Sequence, residues 1–193
     1  MEKELKYVDM VEQPISMHPK KFALWLFMVS VVMVFAGLTS AYIVRQAEGN
    51  WLEYELPSIF WVTSGIAVAS SLTLHWAYFS AKKDNFLNLK IGMLLTVLLG
   101  IAFLVGQWYS WVAMVDRDVF FVGNPSGSFL YVFTGLHAAH LISGVIFLII
   151  VLISTLKLKV HSKAMDTMEM ATTYWHFLGG LWLYLFMFLL LNH

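Results

Sequence analysis

Five stretches of this chain are long, apolar and free of charge throughout their interiors. They cover residues 22–43, 57–79, 89–111, 129–156 and 172–191, and the one charge inside these bounds, Lys90, stands at the edge of the third. A bilayer core is crossed by about 20 apolar residues of helix, and an ionised side chain at its centre costs a few kcal/mol. A pattern this clean predicts an all-α integral membrane protein, a bundle of five transmembrane helices. Composition agrees: 60% of the 193 residues are hydrophobic and only 12% charged, about half the charged share of a soluble domain. Formal net charge is zero, which gives no basis for nucleic-acid binding. With no cysteine, disulfides, thiolate metal sites and cysteine nucleophiles are excluded.

Lys and Arg set the expected direction of insertion. The N-terminal segment holds Lys3, Lys6, Lys20 and Lys21, the second loop Lys82, Lys83 and Lys90, and the fourth Lys157, Lys159 and Lys163, ten of the twelve basic residues. The first and third loops hold only Arg45 and Arg117 among acidic neighbours. Residues 1–21 are therefore expected as a cytoplasmic tail rather than a signal peptide, and 22–193 as the membrane domain, with a cytoplasmic N-terminus and a periplasmic C-terminus. The loops on that far side are short and rich in turn formers, Gly49-Asn50, Pro57 and Gly123-Asn124-Pro125. No repeat divides the chain into two similar halves, which argues against an inverted-repeat transporter.

Small residues recur four apart at Gly37 and Ala41, at Gly65 and Ala69, and along Gly135, Ala139 and Ser143. Such faces let helices approach closely in lipid, so protein contact is expected there. Gln107 is expected to form an inter-helix hydrogen bond. Four histidines, His75, His137, His140 and His176, fall within the spans. A neutral histidine in lipid needs hydrogen-bond partners, which predicts that these point into the bundle or toward another subunit. His137 and His140, three residues apart, are expected on one face of the fourth helix. Helical rise puts His137 roughly 12 Å below the far surface and His176 near the cytoplasmic one, so those two cannot share an iron. His75 and His176 lie at one depth, which leaves open a small membrane protein with a b-type haem or a quinol site there. Glu169, two turns before His176, suits the N-terminal end of the fifth helix by its charge. No nucleophile–base pair, phosphate loop or metal-ligand cluster is present, and these residues alone name no function.

The order of motifs does. Leu24-Trp25-Leu26-Phe27 opens the first span; Ala69-Ser70-Ser71-Leu72-Thr73-Leu74-His75-Trp76-Ala77 ends the second; Leu98-Leu99-Gly100, Phe103 and Gln107 lie on the third; Thr134-Gly135-Leu136-His137-Ala138-Ala139-His140 on the fourth; Tyr174-Trp175-His176-Phe177 and Trp182-Leu183-Tyr184-Leu185-Phe186 on the fifth. In this order they resemble subunit III of haem–copper terminal oxidases, in the short five-helix bacterial form that lacks the first two helices of the long form. The resemblance implies a subunit of the bacterial inner membrane with no catalytic residue and no cofactor of its own. Haem and copper are expected in partner subunits, and bound phospholipid in a helical cleft. Implied partners are oxidase subunits I and II, with a small subunit IV and other respiratory complexes as further candidates. Trp25, His75, His137, His140, Glu169, Trp175 and His176 are the candidates for lipid or subunit contact. Two positions depart from the family pattern: Val31 stands where a membrane-embedded Glu is usual, and Gly179 where an Asp is usual. Neither can take up a proton, so a proton-antenna role is not expected of them. A carbodiimide, which modifies protonated carboxyls in apolar surroundings, will therefore leave all five spans unlabelled; an adduct found by mass spectrometry within the first helix would refute this.

Overall fold

The computed structural model describes residues 19–157 and 165–192. These form five helices: α1 (Pro19–Ala47), α2 (Ile59–Lys82), α3 (Phe86–Val115), α4 (Pro125–Leu156) and α5 (Asp166–Asn192). Each is long and apolar enough to cross a membrane. Each helix runs past its predicted stretch at one end or both, because helical hydrogen bonding does not stop where the apolar core does, while α2 begins two residues later than predicted, at Ile59 after Pro57-Ser58. At α4 the turn sequence itself starts the helix. Asn124 caps it by accepting from the Ser126 amide at 2.9 Å, and Pro125 takes the first turn, where a missing N–H costs nothing. Lys3, Lys6, Lys159, Lys163 and His193, used for the expected orientation, lie outside the described residues.

Helices α2, α3, α4 and α5 form a closed ring, each packed on the next and α5 back on α2, while α1 touches only α4 and α5 from outside. Every backbone polar group in a spanning segment must be satisfied internally, and the buried hydroxyls follow the same rule. Thr39, Ser64, Thr96, Ser110, Thr134, Thr155 and Thr172 each donate to the carbonyl four residues back, at 2.8–3.1 Å. They add no unsatisfied group to the interior.

Lipid tails are as apolar as leucine, so close packing rather than water exclusion holds the ring together. Its centre is Trp175. The indole of Trp175 is buried, donates from Nε1 to Ser70 Oγ on α2 at 3.0 Å, and lies against two glycines. A methyl group at Gly100 on α3 would stand 2.7 Å from its Cη2, and one at Gly144 on α4 3.4 Å from its Cε3. One side chain thus touches three neighbouring helices. Two turns further along α5, Trp182 repeats the pattern, donating to Ser64 Oγ at 3.0 Å and stacking on Phe60. Gly92 brings α3 onto α2, where an added methyl would stand 2.9 Å from Ala77 Cβ.

The glycines of the small-residue faces predicted as contacts are not the ones that close the ring, although Ser143 does meet Tyr174 of α5. Gly37, Ala41, Gly65, Ala139 and Ser143 are exposed, and a methyl at Gly37, Gly65 or Gly135 would meet nothing within 4 Å. Spacing alone marks a possible face; the large residues opposite decide whether it closes, and here Trp175, Ala77 and Thr63 stand opposite Gly100, Gly92 and Gly106 instead. Gly100→Ala is expected to destabilise the protein by about 1–3 kcal/mol through overpacking. Gly65→Ala is expected to be neutral or slightly stabilising, because the open site gains only helix propensity. Thermal unfolding of the two purified variants in detergent tests the contrast, and equal effects would refute it.

Candidate functional site

The candidate residues distribute over three places. The first is the end of the bundle that carries Lys82 and Lys83. There Lys21 of α1 reaches across to α5 and contacts Asp166 and Glu169, each at 2.8 Å. Glu169 was expected to serve the α5 N-terminus by its charge; it also ties that terminus to α1. Beside it, a pocket of about 300 Å³ is lined by His75, Tyr78, Glu169, Thr172, Thr173 and His176. The rings of His75 and His176 stand 5.8 Å apart, centroid to centroid, inclined at 63°. Glu169 and His176, two turns apart, face the same pocket as their spacing requires. Among the described residues, no three His, Asp or Glu side chains converge as a metal site.

The second place is the seam along α1. Its two ends are pinned: by Lys21 at the lysine-bearing end, and at the other by Tyr42 and Gln46, which donate to the carbonyl of Asn192 at 2.6 and 3.1 Å. Tyr42 also sits edge-on to Trp51, Phe129 and Phe188. Midway, His140 packs against Phe27 and Phe35 with ring centroids 6.1 and 6.0 Å away, and its Nδ1 bonds the Leu136 carbonyl at 2.7 Å. Tyr174 closes the same patch through Ser143 Oγ at 2.7 Å. Because α1 meets α4 and α5 along so narrow a line, a groove opens on each side. One, of about 430 Å³, runs between Val32, Phe35 and Ala36 of α1 and His176, Phe177, Gly180, Leu181 and Tyr184 of α5. The other, of about 630 Å³, lies between Leu38, Ala41 and Arg45 and the start of α4. His176 borders both the first groove and the 300 Å³ pocket, so the two share a wall.

The third place is the interior of the ring. His137 and Trp175, expected at lipid or subunit contacts, belong here: His137 is completely buried and Trp175 is 4% exposed. His137 packs on Phe103 and Trp182 while His140 faces α1, so two residues expected on one helix face meet different neighbours. The 60° between positions three apart is enough to put one in the ring and the other on its rim. Gln107 is buried without the expected inter-helix hydrogen bond; neither end of its amide has a protein partner. Trp25 is exposed on α1. Sequence reasoning took Lys21 for an orienting charge alone and passed over Gly180 and Tyr184 as groove walls. The Gly179-Gly180 pair was the available signal, because a second glycine beside a packed one leaves a helix surface bare.

Val31 and Gly179 lie on different seams. Val31 is buried on α1 one turn from both Phe27 and Phe35, the rings that enclose His140. Gly179 faces α2, where an added methyl would stand 3.1 Å from Ser71 Oγ. Val31→Glu is expected to lower the stability of the purified protein by about 2 kcal/mol or more, since the carboxyl would be buried and the nearby His140 Nδ1 is already bonded. Unchanged thermal unfolding would show that this part of the seam is wet.

Comparison with known proteins supplies the biological setting. Residues 53–192 match the family model for cytochrome c oxidase subunit III. A probable cytochrome c oxidase subunit 3 of Nocardia farcinica is 34% identical over 168 residues, covering 83% of this chain and 82% of that protein. The cytochrome c oxidase subunit 3 of Corynebacterium diphtheriae is 30% identical over 169 residues with the same coverage. The rat subunit 3 is 27% identical over 190 residues, 90% of this chain but 69% of the rat protein. With its five membrane-length helices and its ordered motifs, the chain belongs to the cytochrome c oxidase subunit III family, the non-catalytic third subunit of haem–copper oxidases.

Proposed function

We propose that the chain is a lipid-holding scaffold of its oxidase and carries no proton of its own across the membrane. The observation that supports this is the splayed seam of α1. A helix fastened at both ends and spaced from its neighbour in the middle leaves an apolar groove of about 430 Å³, the shape that takes an acyl chain. The polar pocket at the lysine-bearing end, with His75, Tyr78, Thr172 and Thr173, would receive the glycerol or headgroup of the same lipid. The lysines at that end favour an orientation toward the cytoplasm, with the C-terminus periplasmic, in the cytoplasmic membrane of a bacterium. The partners are the haem- and copper-bearing subunit I and subunit II, with a small fourth subunit and other respiratory complexes as further neighbours. Val31 and Gly179 support the absence of a proton antenna, since the bundle has no carboxyl at either of the positions where the family usually places one.

The second reading, a haem or quinol held by His75 and His176, gains from their 5.8 Å spacing. A pocket of about 300 Å³ stands at the bottom of the range for a drug-sized ligand, and a haem macrocycle is larger. The isolated chain is expected to show no Soret band, and the appearance of one would favour this reading over the scaffold.

Gly180, exposed on the groove wall with open space around it, allows the groove to be filled without disturbing the ring. Gly180→Phe is expected to remove one tightly held phospholipid per complex, counted by native mass spectrometry of the oxidase, while haem- and copper-bearing subunits still co-purify with the chain. Unchanged lipid count would remove the groove from the proposal, and failure of the unsubstituted chain to co-purify with those subunits would remove the oxidase partners.

A further inference from the structure

Within the described helices, the buried hydroxyls have protein partners, most of them on the residue's own helix; His137 and Gln107 break that rule. Among the described helical residues, they are the buried polar side chains whose nitrogen and oxygen atoms all lack a protein partner. His137 is fully buried and Gln107 is 1% exposed. Leaving such groups bare in a medium without water costs more than any packing defect nearby, so native interiors supply a partner. His140, one turn away, shows the alternative that His137 does not take: its Nδ1 bonds the carbonyl four residues back.

The two residues occupy one layer of the bundle. Trp111 Nε1 donates to Thr134 Oγ1 at 2.9 Å across the antiparallel α3–α4 seam. One turn inward along each helix from that bond are Gln107 and His137. Beside His137 the ring of helices encloses a small void, bordered by Ala67 and Ser70 of α2, Phe103 of α3, Leu141 of α4 and Trp175 and Trp182 of α5. It leaves about 10 Å³ for the centre of a water-sized sphere, enough for one water molecule. A bound water also needs at least two polar partners. His137, which borders the void, would supply one through a ring nitrogen that has no protein partner. Ser70 Oγ supplies the second: it donates to the Ala67 carbonyl at 2.8 Å and accepts from Trp175 Nε1 at 3.0 Å, and a serine hydroxyl has a second acceptor lone pair left over.

We propose that the ring interior contains a structural water site, with one water bridging His137 to Ser70 in the void and Gln107 completing the hydrogen bonding of the same layer. A neutral imidazole has one donor and one acceptor nitrogen, so it can serve the water on one side and the amide layer on the other. The site joins α2, α3 and α4, and through the Trp175–Ser70 bond it also sets the indole on which the ring closes. It is independent of the lipid groove, because α1 has no residue in it.

The test is a cryo-electron-microscopy map of the intact oxidase at a resolution that shows ordered water. A peak within about 3.2 Å of a His137 ring nitrogen and of Ser70 Oγ is expected. An empty void, or a His137 ring that contacts Gln107 directly with nothing between it and Ser70, would overturn the proposal. A double-mutant cycle on the complex gives the second readout. His137→Leu and Gln107→Leu are each expected to lower Tm by about 4 °C, and the double variant by no more than the larger single effect, because each substitution strands the other's partners. Additive losses would show two unrelated side chains and refute a shared layer.

Discussion

Helices in a bilayer gain little from hiding apolar surface from one another, since the lipid they leave is equally apolar. What they gain comes from contact at short range, which requires small residues opposite large ones. The Trp175 indole, lodged between Gly100 and Gly144 and bonded to Ser70, meets that requirement on three helices at once. The ring α2–α3–α4–α5 depends on it: a longer side chain at either glycine pushes the indole away, and an indole that moves leaves Ser70 without its donor. Trp182 and Ser64 repeat the arrangement one layer further along, so the ring is held by a ladder of indole-to-serine bonds.

α1 obeys a different logic. It lies outside the ring and is fastened by polar contacts at its two ends, Lys21 to Asp166 and Glu169, and Tyr42 with Gln46 to the Asn192 carbonyl at the end of α5. Charged and polar contacts are affordable where the helix ends meet the interface, and there they fix direction and register rather than supply bulk packing. The middle of α1 is left to a single patch, His140 and Tyr174 against Phe27 and Phe35. End fastening with a thin middle produces the two grooves, which leave apolar surface open between α1 and the ring.

Most of the fold was legible because charge and hydropathy act residue by residue. A span announces itself through the charges it lacks, and all five helices lie where those gaps predict. The seams were not legible, because they depend on pairs. Gly37, Gly65 and Gly135 have the same spacing pattern as a packing face, yet no part of this chain stands opposite them, whereas Gly92, Gly100 and Gly144, with no Gly, Ala or Ser four residues away, close the ring. The histidines divide in the same way. The depth of His75 and His176 follows from counting residues, and the structure brings their rings together. Whether His137 faced lipid or core depended on Phe103 and Trp182, residues on other helices that no local pattern connects to it.

The two missing carboxyls can be read in the same terms. At position 179 the α2–α5 seam is closed so tightly that even a methyl would crowd Ser71 Oγ; an Asp there would need the seam to open and a partner to enter with it. At position 31 the side chain is buried beside rings whose polar neighbours, His140 and Tyr174, already hydrogen-bond to α4. Both places have been refitted for apolar packing, on separate seams. Replacing an acid by an apolar residue of fitting shape in a dry interior removes a desolvation cost and any need for a counter-charge. On α5, His176 and Glu169 face the open pocket at the lysine-bearing end. Among the described residues, the carboxylates and the lysines thus lie outside the apolar spans or at their ends, and the interior is given over to packing.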